Sequence, residues 1–169
     1  MESSRVRVQI VDALNRPVGS ARRCDMRRLQ MWHRAVYIFV VDRHDRLCVQ
    51  RRTSWKDIFP GYRDLCAGGV VDAGESMVCA ASRELQEELG LALGLDYCLK
   101  LYFEEGMNAF GSVFLARYQN QSITLQSSEV AGIEWLTLSE ALAVEDATPD
   151  SRQALKTLVD QGFFQQAPA

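Results

Sequence analysis

Residues 69–91 restrict this chain more than any other stretch. Gly68 and Gly69 are expected to close a turn, and a second turn follows at Ala73-Gly74. Ser76 is then placed to cap a helix, and Gly90 stands where a helix ends on a left-handed residue. Between these caps Met77, Ala81, Leu85 and Leu89 recur at every fourth position, with Val78 beside them. That spacing predicts an amphipathic helix that buries one stripe. Glu84, Glu87 and Glu88 fall at i, i+3 and i+4, so their side chains share one arc beside the stripe.

Such an arc is not stable by itself. Glu84 and Glu88 repel as a like-charge pair one turn apart. All three carboxylates lie in the last turns, where the helix dipole is negative and favours cations. Only Arg83 and Lys100 are near in sequence to offset them. A run that breaks a local rule without evident gain is a candidate functional site. Two readings fit the pattern: a solvated acidic face, or a hard-oxygen cation site. Mg²⁺ is the cation suited to a few carboxylates plus substrate phosphates.

The rest of the chain reads as strands around this helix. Val6, Val8 and Ile10 alternate with polar residues, Asn15-Arg16-Pro17 supplies a turn, and residues 5–23 form a hairpin. A short helical piece follows over 25–31. Arg22, Arg23, Arg27 and Arg28 make this segment basic, either as solvated charges or as phosphate contacts. Val36 to Val41 reads as a central strand and Leu47 to Arg52 as its return. Residues 54–64 form a loop around Pro60-Gly61. Strands are expected over 97–103, 112–118 and 133–136, and Thr148-Pro149-Asp150 starts a last helix with proline in its first turn. Strands interrupted by two longer helices predict an α/β fold, and 169 residues suit a single domain. A net charge of −3 leaves no basic field for a nucleic acid polymer or an acidic membrane surface. The start Met1-Glu2-Ser3-Ser4-Arg5 carries no apolar run, so no signal peptide and no membrane span are expected. Five scattered cysteines without a CxxC pair fit reduced thiols in the cytoplasm.

The acidic stretch resembles the Nudix box: Gly, five residues, Glu, seven residues, Arg-Glu, an aliphatic residue, any residue, Glu-Glu, any residue, Gly and an aliphatic residue. Gly69, Glu75, Arg83, Glu84, Leu85, Glu87, Glu88, Gly90 and Leu91 fill every fixed position, a specific match at fixed spacing. Beyond the box, Trp32-His33-Arg34-Ala35, Val49-Gln50-Arg51-Arg52, Phe59-Pro60-Gly61-Tyr62 and Gly68-Gly69 are similar to the isopentenyl-diphosphate-isomerase-like branch of that superfamily. Within it, the bacterial YfcD-type Nudix proteins resemble residues 5–160.

The resemblance implies an α/β/α sandwich with a mixed sheet. The whole of 1–169 would be one Nudix domain, with an N-terminal hairpin and short helix in 1–30 and the box at 69–91. It implies a Mg²⁺-dependent hydrolase of a diphosphate linkage in a nucleotide-like or other small organic substrate, with Mn²⁺ as a substitute metal. Glu84, Glu87 and Glu88 would hold the metal with the Gly69 carbonyl, and Glu84, Glu87 and Arg83 would carry catalysis. Glu75 would brace the junction of loop and helix, and Gly90 would end it. Glu104, Glu105 and Glu129 are further carboxylates, read as ordinary structural or surface residues. Arg51, Arg52, Lys56 and Tyr62 would border the substrate, with strand alternation letting only one of the two arginines reach a phosphate. Nudix proteins often pair, and the N-terminal hairpin offers an edge for a homodimer. Two alternatives stand beside the hydrolase: an isomerase-like enzyme, for which Cys66 and His33 occupy suggestive positions, and a non-catalytic nucleotide-binding module. The isomerase chemistry needs a histidine-rich metal site, and the chain has only two histidines. Cys66 is therefore read as a small buried residue and His33 as a structural or pocket-lining one.

Overall fold

The computed structural model describes residues 6–164. The first five residues, on which the leaderless reading rests, lie outside this range. The chain runs β1 (Arg7–Val11), β2 (Pro17–Arg22), α1 (Arg23–Arg28), β3 (His33–Val41), β4 (Leu47–Arg52), β5 (Arg63–Asp64), β6 (Ala67–Val70), α2 (Met77–Leu89), β7 (Asp96–Phe103), β8 (Ala109–Arg117), β9 (Val130–Leu136), α3 (Leu138–Leu142) and α4 (Pro149–Asp160). All the strands belong to one mixed sheet. Among the described residues, no helix is long and apolar enough to cross a membrane.

β3 is the axis. Its apolar run is buried on both faces, as a central strand requires. Along one edge it pairs in parallel with β8, from His33 opposite Ala109 to Val41 opposite Arg117. Its other edge is divided among three partners. β1 meets it at His33, β6 runs antiparallel from Ala35 to Ile38, and β4 touches it at Val41. β4 then diverges to pair with β9 and with the two-residue β5, which leaves a cleft between β4 and β6.

Alternation along β3 sorts the two cores. Val36, Ile38 and Val40 pack with Ala80, Ala81, Leu85 and Leu89 of α2. Ala35, Tyr37, Phe39 and Val41 pack with α3, α4 and β7. The sheet thus lies between helices, the α/β/α sandwich expected. The N-terminal hairpin and α1 share a small core of Val8, Ile10, Ala21 and Met26. It is also stitched to the stretch ahead of α2: Gln9 N–H donates to Val71 O, Ala73 N–H to Arg7 O, and Gly74 N–H to Gln9 Oε1.

Several sequence expectations need correction. Gly68 and Gly69 do not close a turn; they lie inside β6. Their missing side chains serve close approach instead. A Cβ on Gly68 would stand 2.1 Å from Val36 O, and one on Gly69 would stand 2.3 Å from a Glu84 carboxylate oxygen. The turn falls at Asp72–Glu75, closed by Glu75 N–H to Asp72 O, with Gly74 at φ +78°. Val78 is exposed and Met77 only partly buried, while Ala80 and Glu84 join the buried face of α2. The expected short helix spans Arg23–Arg28 rather than 25–31. The 54–64 loop ends in β5. α3 was not anticipated, although Thr137-Leu138-Ser139-Glu140 is a capping box and forms one.

Candidate active site

Both ends of α2 are fixed as its sequence dictates. Ser76 Oγ accepts the Cys79 N–H, and Gly90 takes the left-handed conformation at φ 66°, ψ 24°. Between them Arg83 gathers its surroundings. Its guanidinium makes a two-pronged pair with Glu75 at 2.8 and 2.9 Å and donates to Glu84 Oε1 at 2.9 Å, to Val70 O at 3.2 Å and to Glu87 Oε2 at 3.4 Å. Glu75 Oε1 in turn accepts the Asp72 N–H. Loop, helix start and helix middle are thereby locked around one cation, with the bidentate geometry that arginine alone supplies.

The three box carboxylates do not share one environment. Glu84 is buried and lies against the bare Cα of Gly69. Burial raises its pKa from the ordinary carboxylate range to about 7, against the pull of Arg83, and the nearby Glu87 adds to the rise. Glu88 inserts into the cleft between β4 and β6. Its Oε2 accepts from Gln50 Nε2 and from Gly68 N–H, both at 3.2 Å. Burial, then Glu84, then Asp64 hold Glu88 well above the ordinary range. Glu87 is turned outward, with its side chain 47% exposed. Among the described residues no three His, Cys, Asp or Glu side chains are drawn together as a metal cluster. One buried and one half-buried carboxylate, Glu84 and Glu88, remain side by side, and a Cβ on Gly69 of the backing strand would displace the Glu84 carboxylate. All the available donors are hard oxygens. Such a set suits a divalent cation of the Mg²⁺ type.

Around this centre the rim is partly cationic. Lys56 pairs with Glu129, and burial followed by the charges of Arg52 and Arg23 lowers its proton affinity. The basic N-terminal segment splits in two. Arg22 and Arg28 both bond to Asp25 on the outer face, whereas the charge of Arg23 reaches Glu84, Asp72 and His33 and Arg27 stands 4.0 Å from Asp57. A family model for the NUDIX domain matches residues 31–158.

The chain belongs to the Nudix family. It is 41% identical over 152 residues to the uncharacterized Nudix hydrolase YfcD of Shigella flexneri, covering 88% of this chain and 83% of that one. It is 36% identical over 159 residues to the uncharacterized Nudix hydrolase PA4841 of Pseudomonas aeruginosa, covering 89% and 91%. Among solved structures, that of DR0079 from Deinococcus radiodurans superposes with a TM-score of 0.78 at 27% identity, over 89% of this chain and 98% of that one. The protein is accordingly a Nudix hydrolase, an enzyme acting on phosphorus anhydride (pyrophosphate) bonds.

Other residues singled out from the sequence of this Nudix chain fall in varied places. Arg52 spends its guanidinium inside the protein, on Ile58 O, Phe59 O and Asp64 Oδ2, and so anchors the loop that carries Lys56. Arg51 is exposed and rests on Gly61 O and Asp146. Tyr62 packs on Phe59 with ring centroids 5.2 Å apart. Glu104 pairs with the Tyr102 hydroxyl. His33 is buried with Nδ1 2.9 Å from Met31 O. Cys66 is buried in the core on the α4 side, and burial drives its thiol well above its ordinary value. Sequence reasoning missed Gln50. A polar residue closing an otherwise apolar strand run, Leu47-Cys48-Val49-Gln50, was the available signal.

Proposed function

We propose that this Nudix hydrolase cleaves the diphosphate linkage of a small organic or nucleotide-like substrate with a divalent metal, Mg²⁺ by preference and Mn²⁺ as a substitute. The observation that carries the reading is the pair of inward carboxylates, buried Glu84 and half-buried Glu88, the one set against Gly69 of β6 and the other bonded to Gly68 N–H. Glu84, Glu88 and the Gly69 carbonyl would hold the ion, and Glu87 would complete the set by leaving its 3.4 Å contact with Arg83. Bound there, the ion would supply neutralisation of phosphate oxygens and a more acidic water.

The chain's own residues do the remainder. Arg83 keeps Glu84 and Glu75 in register across the loop and helix. Lys56 and Arg23, whose charges reach Glu88 and Glu84, would meet the phosphates, and Arg52 fixes the loop on which Lys56 sits. The burial of Cys66 on the opposite side of the sheet favours hydrolysis over an isomerase that protonates through cysteine. The full chain is read as one domain.

The test is an assay of purified protein on a panel of nucleoside diphosphate derivatives, dinucleotide cofactors and prenyl diphosphates. Phosphate or monophosphate release should appear with Mg²⁺ and vanish with chelator. Release that is indifferent to chelator, or interconversion of prenyl diphosphate isomers in its place, would reject the proposal.

A further inference from the structure

Gln50 is polar, yet it is only 2% exposed. Its backbone is held on both sides, opposite Ile133 of β9 and Asp64 of β5. Cys48, two residues earlier, faces the α2 core, so alternation sends the Gln50 side chain to the same face. There its amide meets Glu88 in the cleft where β4 leaves β3 and β6 takes its place. Glu88 Oε2 accepts from Gln50 on one wall and from Gly68 on the other. Oε1 of Glu88 accepts no hydrogen bond among the described residues.

The residue type matters. Both donors are neutral, so they fix the direction of the carboxylate without cancelling its charge. A lysine or arginine at position 50 would neutralise Glu88, as Arg83 partly does for Glu84. A carboxylate there would repel it, and an apolar side chain would leave it free to swing. An amide orients and leaves the charge available.

We infer that Gln50 is a positioning residue of the cation site, which saturates Glu88 Oε2 together with Gly68 and so presents Oε1 to the ion. The inference rests on the metal reading proposed above. The test measures Mn²⁺ binding to metal-free protein by electron paramagnetic resonance, without substrate. Gln50→Met should weaken binding about ten- to a hundredfold, the range for lost partners of metal ligands. Because Gln50 acts through Glu88, adding Gln50→Met to Glu88→Gln should cause no further loss. Gln50→Lys, whose ammonium would compete with the ion, should weaken binding at least as far and serves if the methionine variant does not fold. Wild-type Mn²⁺ affinity in a folded position-50 variant would overturn the inference, as would an equal loss from Gln50→Met in both backgrounds. Glu88→Gln that left Mn²⁺ affinity unchanged would instead strike down the cation site itself. The two failures are therefore distinguishable.

Discussion

The two faces of β3 solve the same problem in opposite ways. On the α4 side, polar groups are buried with partners. Tyr37 hydroxyl donates to Asp150 at 3.0 Å, Thr148 Oγ1 donates to Asp64 at 2.7 Å and meets Ser151 Oγ at 2.6 Å, and Ser151 Oγ accepts the Leu65 N–H. Burial raises the proton affinity of Asp64, but Arg52 and Thr148 pull it back. On the α2 side, Glu88 accepts hydrogen bonds only from neutral donors and lies beside anionic Glu84, with the charge of Lys56 reaching it but no cation bonded to it among the described residues. The first arrangement is complete as it stands and ties α4 to β5. In the second, no cationic group is hydrogen-bonded to Glu88 among the described residues, and an ion could supply what the neutral donors do not. Burial alone does not distinguish structure from function here; the balance of donors and charge does.

The contrast can be broken most sharply by one substitution on each face. Glu88→Gln should lower diphosphate hydrolysis at least about a hundredfold at limiting Mg²⁺, in line with lost metal-site interactions, while the fold persists. Thr148→Val should do the reverse. It costs about 1–3 kcal/mol by stripping hydroxyl partners from buried groups, and activity of the folded protein stays near wild type. Thermal unfolding and turnover measured on both variants check the pair, and a Glu88→Gln enzyme with near-native turnover would erase the distinction.

Acidity provides a second handle. Folded Glu84 keeps its proton up to about pH 7, whereas the unfolded chain gives it up near its ordinary value of 4.5. The folded state binds more protons in that window, so metal-free stability should fall as pH rises through it. Divalent cation should restore stability at the upper end, where the carboxylate is charged. Melting curves across this range, with and without Mg²⁺, test the sign, and Glu84→Gln should reduce the metal-free slope, leaving the share that Glu88 contributes in the same direction. The smallest effect is expected at Cys66. Cys66→Ser should leave hydrolysis within a few-fold, since the thiol lies in the α4-side core. Loss of turnover in a folded Cys66→Ser enzyme would move chemistry to the wrong face.

Much of this was legible in the sequence, for local reasons. The caps at Ser76 and Gly90 and the stripe of α2 follow from helix geometry, and the β3–β4 hairpin from apolar runs around a turn. What escaped reading depends on contacts between distant segments. The purpose of Gly68 and Gly69 is set by Val36 and Glu84, not by their neighbours. The different fates of Glu84, Glu87 and Glu88 cannot come from i, i+4 spacing, because it is β6 and Gln50 that single out two of the three. Arg51 and Arg52 diverge as strand alternation requires, yet the internal engagement of Arg52 depends on how the 58–64 loop folds back.

The parallel pairing of β3 with β8 bears on the order in which the molecule assembles. β4, β6 and α2 all follow β3 closely in the chain and can dock on it early. The opposite edge of β3 waits for residues 109–117, and the entropy of closing that long loop is lost before its rungs form. During synthesis the box helix can thus be seated while Val36–Val41 still shows an open, apolar strand edge. Such an edge favours pairing with other chains. Closure by β8 is then the step that turns an aggregation-prone intermediate into the enzyme, and slowing it should cost yield before it costs activity.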